Sequence, residues 1–401
     1  MNTKRTIRVA LAALASAGLV AGFIAPANAA TRSTVVVHDT NPMTGFNSSV
    51  SGYNLTANTA IGYMTGAGFN YYDDKKNLVK NTTFGTYKVV KNSSTDFRVQ
   101  YTVNPGRVWS DGTPITGVDL LLSHVVCSNA YSIAAGLGDP KAATKPSFEA
   151  SCYSGTYNDF VVGEPELSSD EMSVTVRYKG KLADWELYGP GPSPVHALVL
   201  MADGKKALGT AAENTAAKAR FLADFKTKDT ADLKKIAAIW SKDYNISAVD
   251  SSTNPLLFIS NGGFIVKSAI SKQSVTLTLN TKYNSGPKMS GGVDTVVFKY
   301  ISDGNAASQA LANGELDLYQ GQATADAVAA LKQIKGSTSY ADLKGLGLVI
   351  EAATENQAIK EKILKQVDEI VSKDTIIATN TSSLSITKLA ALDSNPARFI
   401  G

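Results

Sequence analysis

Apolar and polar residues alternate strictly in several short stretches between residues 31 and 320. The alternation runs through residues 97–103, and the same period of two recurs at 172–178 and 275–279. A period of two places every second side chain on one face of an extended chain. Each stretch therefore predicts a half-buried β-strand.

Helical patterns separate these strands. Residues 211–240 are rich in Ala and Lys and predict helical structure, and residues 304–312 predict a shorter helix. Asn313 and Gly314 follow the shorter helix and are typical of a helix end. A strand is expected next, at residues 315–319. The mixture of strands and helices indicates an α/β fold.

From about residue 332 the elements follow a regular order. Residues 354–357 have the Thr-x-x-Gln spacing of a capping box, and an apolar stripe with a helical period follows them. The predicted elements are a strand at 348–353, a helix after 357, a strand at 375–379, a short helix at 385–392 and a strand at 398–400. This alternation is typical of a parallel, doubly wound sheet.

The first 29 residues predict a secretory signal peptide. Residues 1–8 are basic, residues 9–25 are apolar, and Ala27-Asn28-Ala29 has the small-residue pattern of a cleavage site. A membrane anchor is the alternative, but the apolar run is shorter than the ~20 residues that a span needs. We therefore expect export to the periplasm or the cell exterior, with no membrane span in the mature chain.

Charge and cysteine content add two expectations. Of the 39 Lys and Arg residues, three lie in the first eight positions, and the remaining 36 nearly balance 35 Asp and Glu. This balance gives no electrostatic reason to expect nucleic acid or an anionic membrane as a partner. Cys127 and Cys152 are the two cysteines. In an exported protein such a pair favours a disulfide, with two free buried thiols as the alternative.

No pattern in the sequence predicts a catalytic or metal site. His38, His124 and His196 lie far apart and lack companion ligands at metal spacing, so we interpret them as structural or surface residues. The carboxylate pairs lie in a turn at 73–74 and along the predicted strand at 315–319. No spacing typical of a nucleophile elbow is present.

Two regions of the sequence carry motifs at characteristic spacing. The first motif is Trp/Phe-x-Asp-Gly-x-Pro-hydrophobic-Thr-x-x-Asp, and the second combines Asn-Gly-x-hydrophobic with a strand and Asn-x-x-Tyr. The matching residues are Trp109, Asp111, Gly112, Pro114, Thr116, Asp119, Asn261, Gly262, Phe264, Asn280, Tyr283, Gly314, Glu315 and Asp317. In their order and spacing across nearly 300 residues, they resemble the family 5 extracellular solute-binding proteins, the oligopeptide and dipeptide receptors of ABC importers.

This resemblance implies a type II periplasmic-binding-protein fold of two lobes that close around a peptide or another small solute, with an importer permease as partner. It assigns cleft contacts to Phe46 and Asn47 and to the crossing near Asn261 and Gly263. The resemblance fades at about residue 330. We therefore expect this region, residues 30–331, to be incomplete at its C-terminal end.

Residues 332–401 contain two distinctive stretches, "VIEAATEN" and "ATNTSSLSIT". Through them the segment resembles the NAD-binding domain of 3-hydroxyacyl-CoA dehydrogenases of the 3-hydroxybutyryl-CoA type. It places Glu355 and Lys360 on the cofactor side of the site and Ser382 where the family contacts substrate. The segment is thus expected to be a partial Rossmann-type β-α-β-α-β unit, and NAD is implied only by this resemblance.

We nevertheless predict no dehydrogenase activity. A G-x-G-x-x-G loop must follow the first strand of such a domain and cradle the pyrophosphate at a helix N-terminus, and no such motif occurs in these 401 residues. Gly345-Leu346-Gly347 precedes a strand and lacks the third glycine. The resemblance also puts the catalytic His beyond Gly401, so we expect no general base for the hydroxyl group.

The two resemblances together suggest a chimera of an exported receptor and a cytosolic dehydrogenase fragment. Three functional hypotheses remain: a solute receptor impaired by truncation, an NAD-dependent dehydrogenase, and a non-functional join. A divergent binding protein whose C-terminal part resembles a Rossmann half by chance is the alternative to the chimera. The expected regions are 1–29 (signal peptide), 30–331 (solute binding) and 332–401 (Rossmann-type segment).

Overall fold

The computed structural model describes residues 33–142, 145–154, 156–181, 185–289, 292–320, 335–354, 356–381 and 384–401. The predicted signal peptide lies outside the described residues. The chain divides into two compact units, Met1–Gln322 and Ala323–Gly401. The boundary that the sequence predicts at 331/332 remains a prediction.

The first unit contains both strands and helices. Its strands are β1 (Thr34–Asp39), β2 (Asn70–Tyr72), β3 (Leu78–Lys80), β4 (Gly85–Asn92), β5 (Phe97–Val103), β6 (Glu166–Leu167), β7 (Ser173–Tyr178), β8 (Phe264–Ile270), β9 (Ser274–Leu279) and β10 (Thr295–Tyr300). Its helices are α1 (Thr56–Thr65), α2 (Val118–Cys127), α3 (Asn129–Ala134), α4 (Thr156–Phe160), α5 (Val195–Ala202), α6 (Ala211–Thr227), α7 (Thr230–Ala238) and α8 (Gly304–Ala312).

Two four-stranded sheets organise this unit. One has the order β4-β5-β7-β6 and is antiparallel, and the other has the order β1-β10-β9-β8, in which β1 and β10 are parallel. Strand β5 buries every second residue, as its alternation predicts. Each sheet has its own apolar core, the larger around β5, β7 and the helices α2 and α5, the smaller under β8 and β9. The mixed α/β class predicted from the sequence is confirmed.

The helical structure predicted at 211–240 is confirmed. It forms two helices, because Lys228 adopts a left-handed conformation (φ 57°) and the Asp229 side chain caps the next helix. The strand predicted at 315–319 is wrong. The segment makes a single bridge with strand β1, between Leu318 and Val37, and the Asp317 amide adds a hydrogen bond to the Val36 carbonyl (2.8 Å). The Asp317 carboxylate instead accepts a hydrogen bond from the Val36 amide (2.8 Å), which occupies the donor that a ladder would use.

The second unit contains the predicted parallel sheet. Its strands are β11 (Leu348–Glu351), β12 (Ile376–Thr379) and β13 (Phe399–Ile400), paired parallel in that order, and its helices are α9 (Gln357–Asp368) and α10 (Ile386–Ala390). The capping prediction is wrong by two residues. Asn356, not Thr354, is the N-cap of α9, because its side chain accepts a hydrogen bond from the Ile359 amide (3.2 Å).

Candidate functional site

The segment that enters strand β8 passes very close to the end of helix α1. An ideal Cβ on Gly262 would lie only 2.6 Å from the Gly66 nitrogen, so a side chain at residue 262 would collide with backbone. The neighbouring Asn261 side chain is buried and bonds both backbone groups of Ala67, accepting from its nitrogen (3.0 Å) and donating to its oxygen (2.8 Å). The Asn-Gly pair thus joins the two segments.

A second asparagine holds the same loop from the other side. The Asn81 Nδ2 donates to the carbonyl oxygens of Gly68 and Ser285, each at 2.8 Å. Asn81 is buried, so both bonds are sheltered from water. The loop 66–68 is therefore fixed against both the segment before β8 and the loop that follows β9.

These fixed loops surround a cavity of about 590 Å³, which we call the tyrosine cavity. Tyrosines dominate its wall, together with glycine backbone and two methionines. The lining residues are Gly62, Tyr63, Met64, Gly66, Ala67, Gly68, Asn70, Tyr71, Tyr72, Asn81, Gly263, Phe264, Tyr283, Pro287, Lys288 and Met289. Its size lies within the roughly 300–1,000 Å³ that is usual for small-molecule sites.

The tyrosines of this cavity are held in place yet remain accessible. The Tyr63 hydroxyl accepts a hydrogen bond from the Tyr72 amide (2.9 Å) and lies 3.1 Å from the Tyr72 carbonyl oxygen, while both rings stay about half exposed. Burial, and secondarily the nearby Tyr71, raise the pKa of Tyr283. Tyr283 is therefore a neutral phenol at physiological pH.

The four residues predicted for the cleft do not meet at one place. Phe46 and Asn47 line a smaller cavity of about 180 Å³, where Asn47 Nδ2 donates to the Trp240 carbonyl (2.8 Å) and Phe46 packs edge-on against Phe258. Gly263 lines the tyrosine cavity. Asn261 is buried and lines neither of these two cavities.

Sequence reasoning missed the tyrosines. The stretch "YMTGAGFNYY", residues 63–72, carries three of them around the glycine loop and was the available signal. Tyr283 was noted only as part of a family motif. Nothing local in the sequence indicates that Tyr283, more than 200 positions away, lines the same cavity.

The Trp-x-Asp-Gly motif belongs to the core of the first unit, where Trp109 is buried. Asp111 Oδ2 lies 2.9 Å from His196 Nε2 and accepts a hydrogen bond from Asn214 (3.1 Å). Burial alone would raise the pKa of Asp111, but the bonds from His196 and Thr113 outweigh burial and lower it. Gly112 adopts φ 98°, which favours glycine. This motif has a structural role.

The remaining predicted residues of the first unit also have structural surroundings. Cys127 and Cys152 form a disulfide with Cα atoms 5.2 Å apart. His38 bonds the Ile301 carbonyl, and the buried His124 bonds the Tyr157 hydroxyl. Across the residues that the structure describes, no cluster of three or more His, Cys, Asp and Glu could hold a metal ion. In the same residues no helix has the length and apolar character of a membrane span.

In the second unit, Lys360 is buried in an ion pair. Its Nζ donates to Glu351 Oε2 (2.6 Å) and to the Asn380 carbonyl (3.0 Å), and the Thr379 hydroxyl donates to the same carboxylate. Burial would raise the pKa of Glu351, but these bonds outweigh it and lower that pKa. Glu355 and Ser382, the other two residues assigned by resemblance, lie outside the described residues. The cofactor role of all three stays a prediction.

The two units have different similarities to known proteins. Residues 294–401 match the family model of the 3-hydroxyacyl-CoA dehydrogenase NAD-binding domain. Over 71 residues the chain is 46% identical to 3-hydroxybutyryl-CoA dehydrogenase from Clostridioides difficile, and 44% identical to the fatty acid oxidation complex subunit alpha from Acinetobacter baumannii (strain AYE). Each match covers 18% of this chain, but only 25% of the first relative and 10% of the second.

The fold of most of the chain is that of a periplasmic binding protein. The solved structure of the periplasmic EDTA-binding protein EppA superposes on 75% of this chain and 45% of its own, with a TM-score of 0.50 and 21% identity. At that identity the similarity establishes the fold alone. The dehydrogenase match begins at residue 294, inside the first unit, where β10 pairs with β1 and β9. Both resemblances predicted from the sequence are confirmed.

Proposed function

We propose that this chain is an exported receptor that captures a peptide or another small solute and presents it to an ABC importer. The tyrosine cavity is the observation that carries this proposal, because it lies at the predicted crossing residue Gly263 and has the size of a ligand site. The binding-protein fold of the first unit supports it. The signal peptide predicted at residues 1–29 supports export.

The cavity offers two kinds of contact to a solute. Gly66 and Gly68 let an extended ligand approach the main chain closely, as in recognition by strand addition. Tyrosine rings supply apolar area with a polar tip. Since Asn81 and Asn261 already hold the loop in place, little further ordering is needed on binding.

The test is calorimetric titration of the full chain with pools of short peptides, checked by the shift in melting temperature. A ligand at 100 times its Kd should stabilise the folded state by about 2.7 kcal/mol. Gly68→Leu should abolish binding, because a Cβ on Gly68 meets no atom within 4 Å and the side chain would occupy the cavity. Gly347→Leu, equally unobstructed in the second unit, is the control. Absence of heat and of a melting shift with every pool would refute the proposal.

NAD-dependent dehydrogenation is the second candidate, favoured by the family match over residues 294–401. We propose that the chain does not catalyse it, since the sequence lacks a glycine-rich phosphate loop. Neither quenching of NADH fluorescence nor turnover of acetoacetyl-CoA is expected from the full chain. Turnover above a no-protein control would overturn this part of the proposal.

A further inference from the structure

The wall of the tyrosine cavity has a distinctive chemistry. Aromatic rings and thioether side chains form most of the wall, and glycine backbone and asparagine side chains form the remainder. The apolar and aromatic contributors are Tyr63, Met64, Tyr71, Tyr72, Phe264, Tyr283 and Met289. Such rings bind either another aromatic ring, edge-on or offset, or a cation over their faces. The wall alone therefore leaves two ligand classes open.

The charged groups decide between these classes. Lys288 is the charged member of the described lining set, and that set contains no carboxylate. A cationic ligand would meet the Lys288 ammonium with no opposite charge in the wall, whereas an anionic ligand would gain an attractive partner. Tyr283 does not alter this balance, because burial raises its pKa above the ordinary value of a phenol.

Local packing places the Lys288 segment at the cavity. An ideal Cβ on Gly263 would lie 3.0 Å from Met289 Sδ, so the glycine leaves room for Met289 to lie against the segment before β8. Asn81 bonds the carbonyl of Ser285, three residues before Lys288. Lys288 therefore lies in an anchored loop that lines the tyrosine cavity.

We propose that the tyrosine cavity selects ligands in which a carboxylate lies a few atoms from an aromatic ring, with the ring among the tyrosines and the carboxylate on Lys288. Two sources carry this chemistry: a free arylalkanoic acid and the C-terminal aromatic residue of a peptide. The proposal rests on the proposed function and specifies its ligand.

The experiment titrates the full chain by calorimetry with four probes: 3-phenylpropionate, acetyl-Ala-Phe, acetyl-Ala-Phe amide and phenethylamine. The two carboxylates should bind about two- to fivefold more tightly than the amide or the amine, since an ion pair with an exposed lysine carries about that much affinity. Preference for phenylpropionate identifies a free acid as the ligand, and preference for acetyl-Ala-Phe identifies a peptide terminus. Both results support the proposal.

Three variants test which residues are responsible for the carboxylate preference and for binding of the ring. Lys288→Met should remove the preference for carboxylates, and Tyr63→Leu should weaken all ring-bearing probes, while Lys88→Met, at an exposed lysine on strand β4, should leave both unchanged. Tyr63 and Lys288 are exposed, so both variants should keep the melting temperature of the parent.

Three outcomes would overturn the inference. Tighter binding of phenethylamine than of the carboxylates, or an unchanged carboxylate preference in Lys288→Met, would do so while leaving solute capture intact. If the peptide pools bind but none of the four probes produces heat, the inference is likewise refuted and solute capture remains intact. If neither the peptide pools nor the four probes produce heat, the proposed function is refuted as well.

Discussion

The Lys360 ammonium lies 2.6 Å from the Glu351 carboxylate in the interior of the second unit, where the two side chains are 0% and 2% exposed. Glu351 ends strand β11 and Lys360 is on helix α9, so the pair connects the sheet to the helix that covers it. Lys360 is enclosed and also donates a hydrogen bond to the Asn380 carbonyl, so its hydrogen bonds stabilise the fold.

Removing one partner of this pair should destabilise the second unit strongly. Lys360→Met leaves the Glu351 carboxylate buried without its counter-charge, a loss of about 3–5 kcal/mol. Hydrogen exchange of residues 348–379 in the full chain measures the change. The double variant Lys360→Met/Glu351→Met should recover part of the loss, because no unpaired charge remains. Equal exchange in parent and single variant would contradict a stabilising pair.

Asp224 should make the stability of the first unit fall with rising pH. Burial, reinforced by nearby Asp232, raises the pKa of Asp224 to about 6. The folded state then holds a proton that the unfolded chain releases above about pH 4, so the contribution of Asp224 to stability is greatest below pH 4 and is lost as the pH rises through about 6. Asp224→Asn should therefore gain up to about 3 kcal/mol at pH 7 in urea unfolding.

A neighbouring carboxylate provides the control for this pH dependence. The hydrogen bond from Lys235 lowers the pKa of Asp232, so its contribution is present at neutral pH and is lost as the pH falls through that lowered pKa. Asp232→Asn should therefore lose stability at pH 7. A gain in both variants would indicate general charge repulsion instead of burial of Asp224.

The disulfide between Cys127 and Cys152 should contribute about 3 kcal/mol, since it closes a loop with a sequence separation of 25. Reduction should lower the melting temperature of the parent chain. The double variant Cys127→Ser/Cys152→Ser should melt at the reduced temperature and show no response to reductant. A parent melting curve that reductant leaves unchanged would contradict a stabilising bond.

Adjacent glycines before β8 should tolerate alanine very differently. Gly262→Ala places a Cβ against backbone of the α1 end and should cost about 1–3 kcal/mol. Gly263→Ala meets only the flexible Met289 side chain and should cost less. Melting temperatures of both variants test the difference, and an equal loss would contradict the close approach at Gly262.

Local patterns in the sequence predicted much of the secondary structure. The alternation at 97–103 became strand β5, the stretch 304–312 became helix α8 with its predicted end at Asn313, and the C-terminal order became a parallel sheet. The break between the two helices of the 211–240 stretch also has a local cause, since the Asp229 side chain caps the second helix.

The candidate site was less accessible from the sequence. Gly263 lines the tyrosine cavity, Phe46 and Asn47 line a different one, and Asn261 holds the Ala67 backbone. The ligand-binding role of all four residues stays a prediction. A motif indicates that a position matters, yet it does not distinguish a contact with ligand from a contact that supports the loop. Only the hydrogen-bond partners make that distinction.

The sequence by itself therefore determined the α/β class, most elements and the two family resemblances, because periodicity, capping and motif spacing are properties of neighbouring residues. The tertiary structure alone decided that Tyr63, Tyr71, Tyr72, Tyr283 and Lys288 line one cavity, since their proximity depends on bonds between distant segments, such as those of Asn81 to Gly68 and Ser285. It also decided the surroundings of Lys360, whose burial depends on strand and helix packing around Glu351.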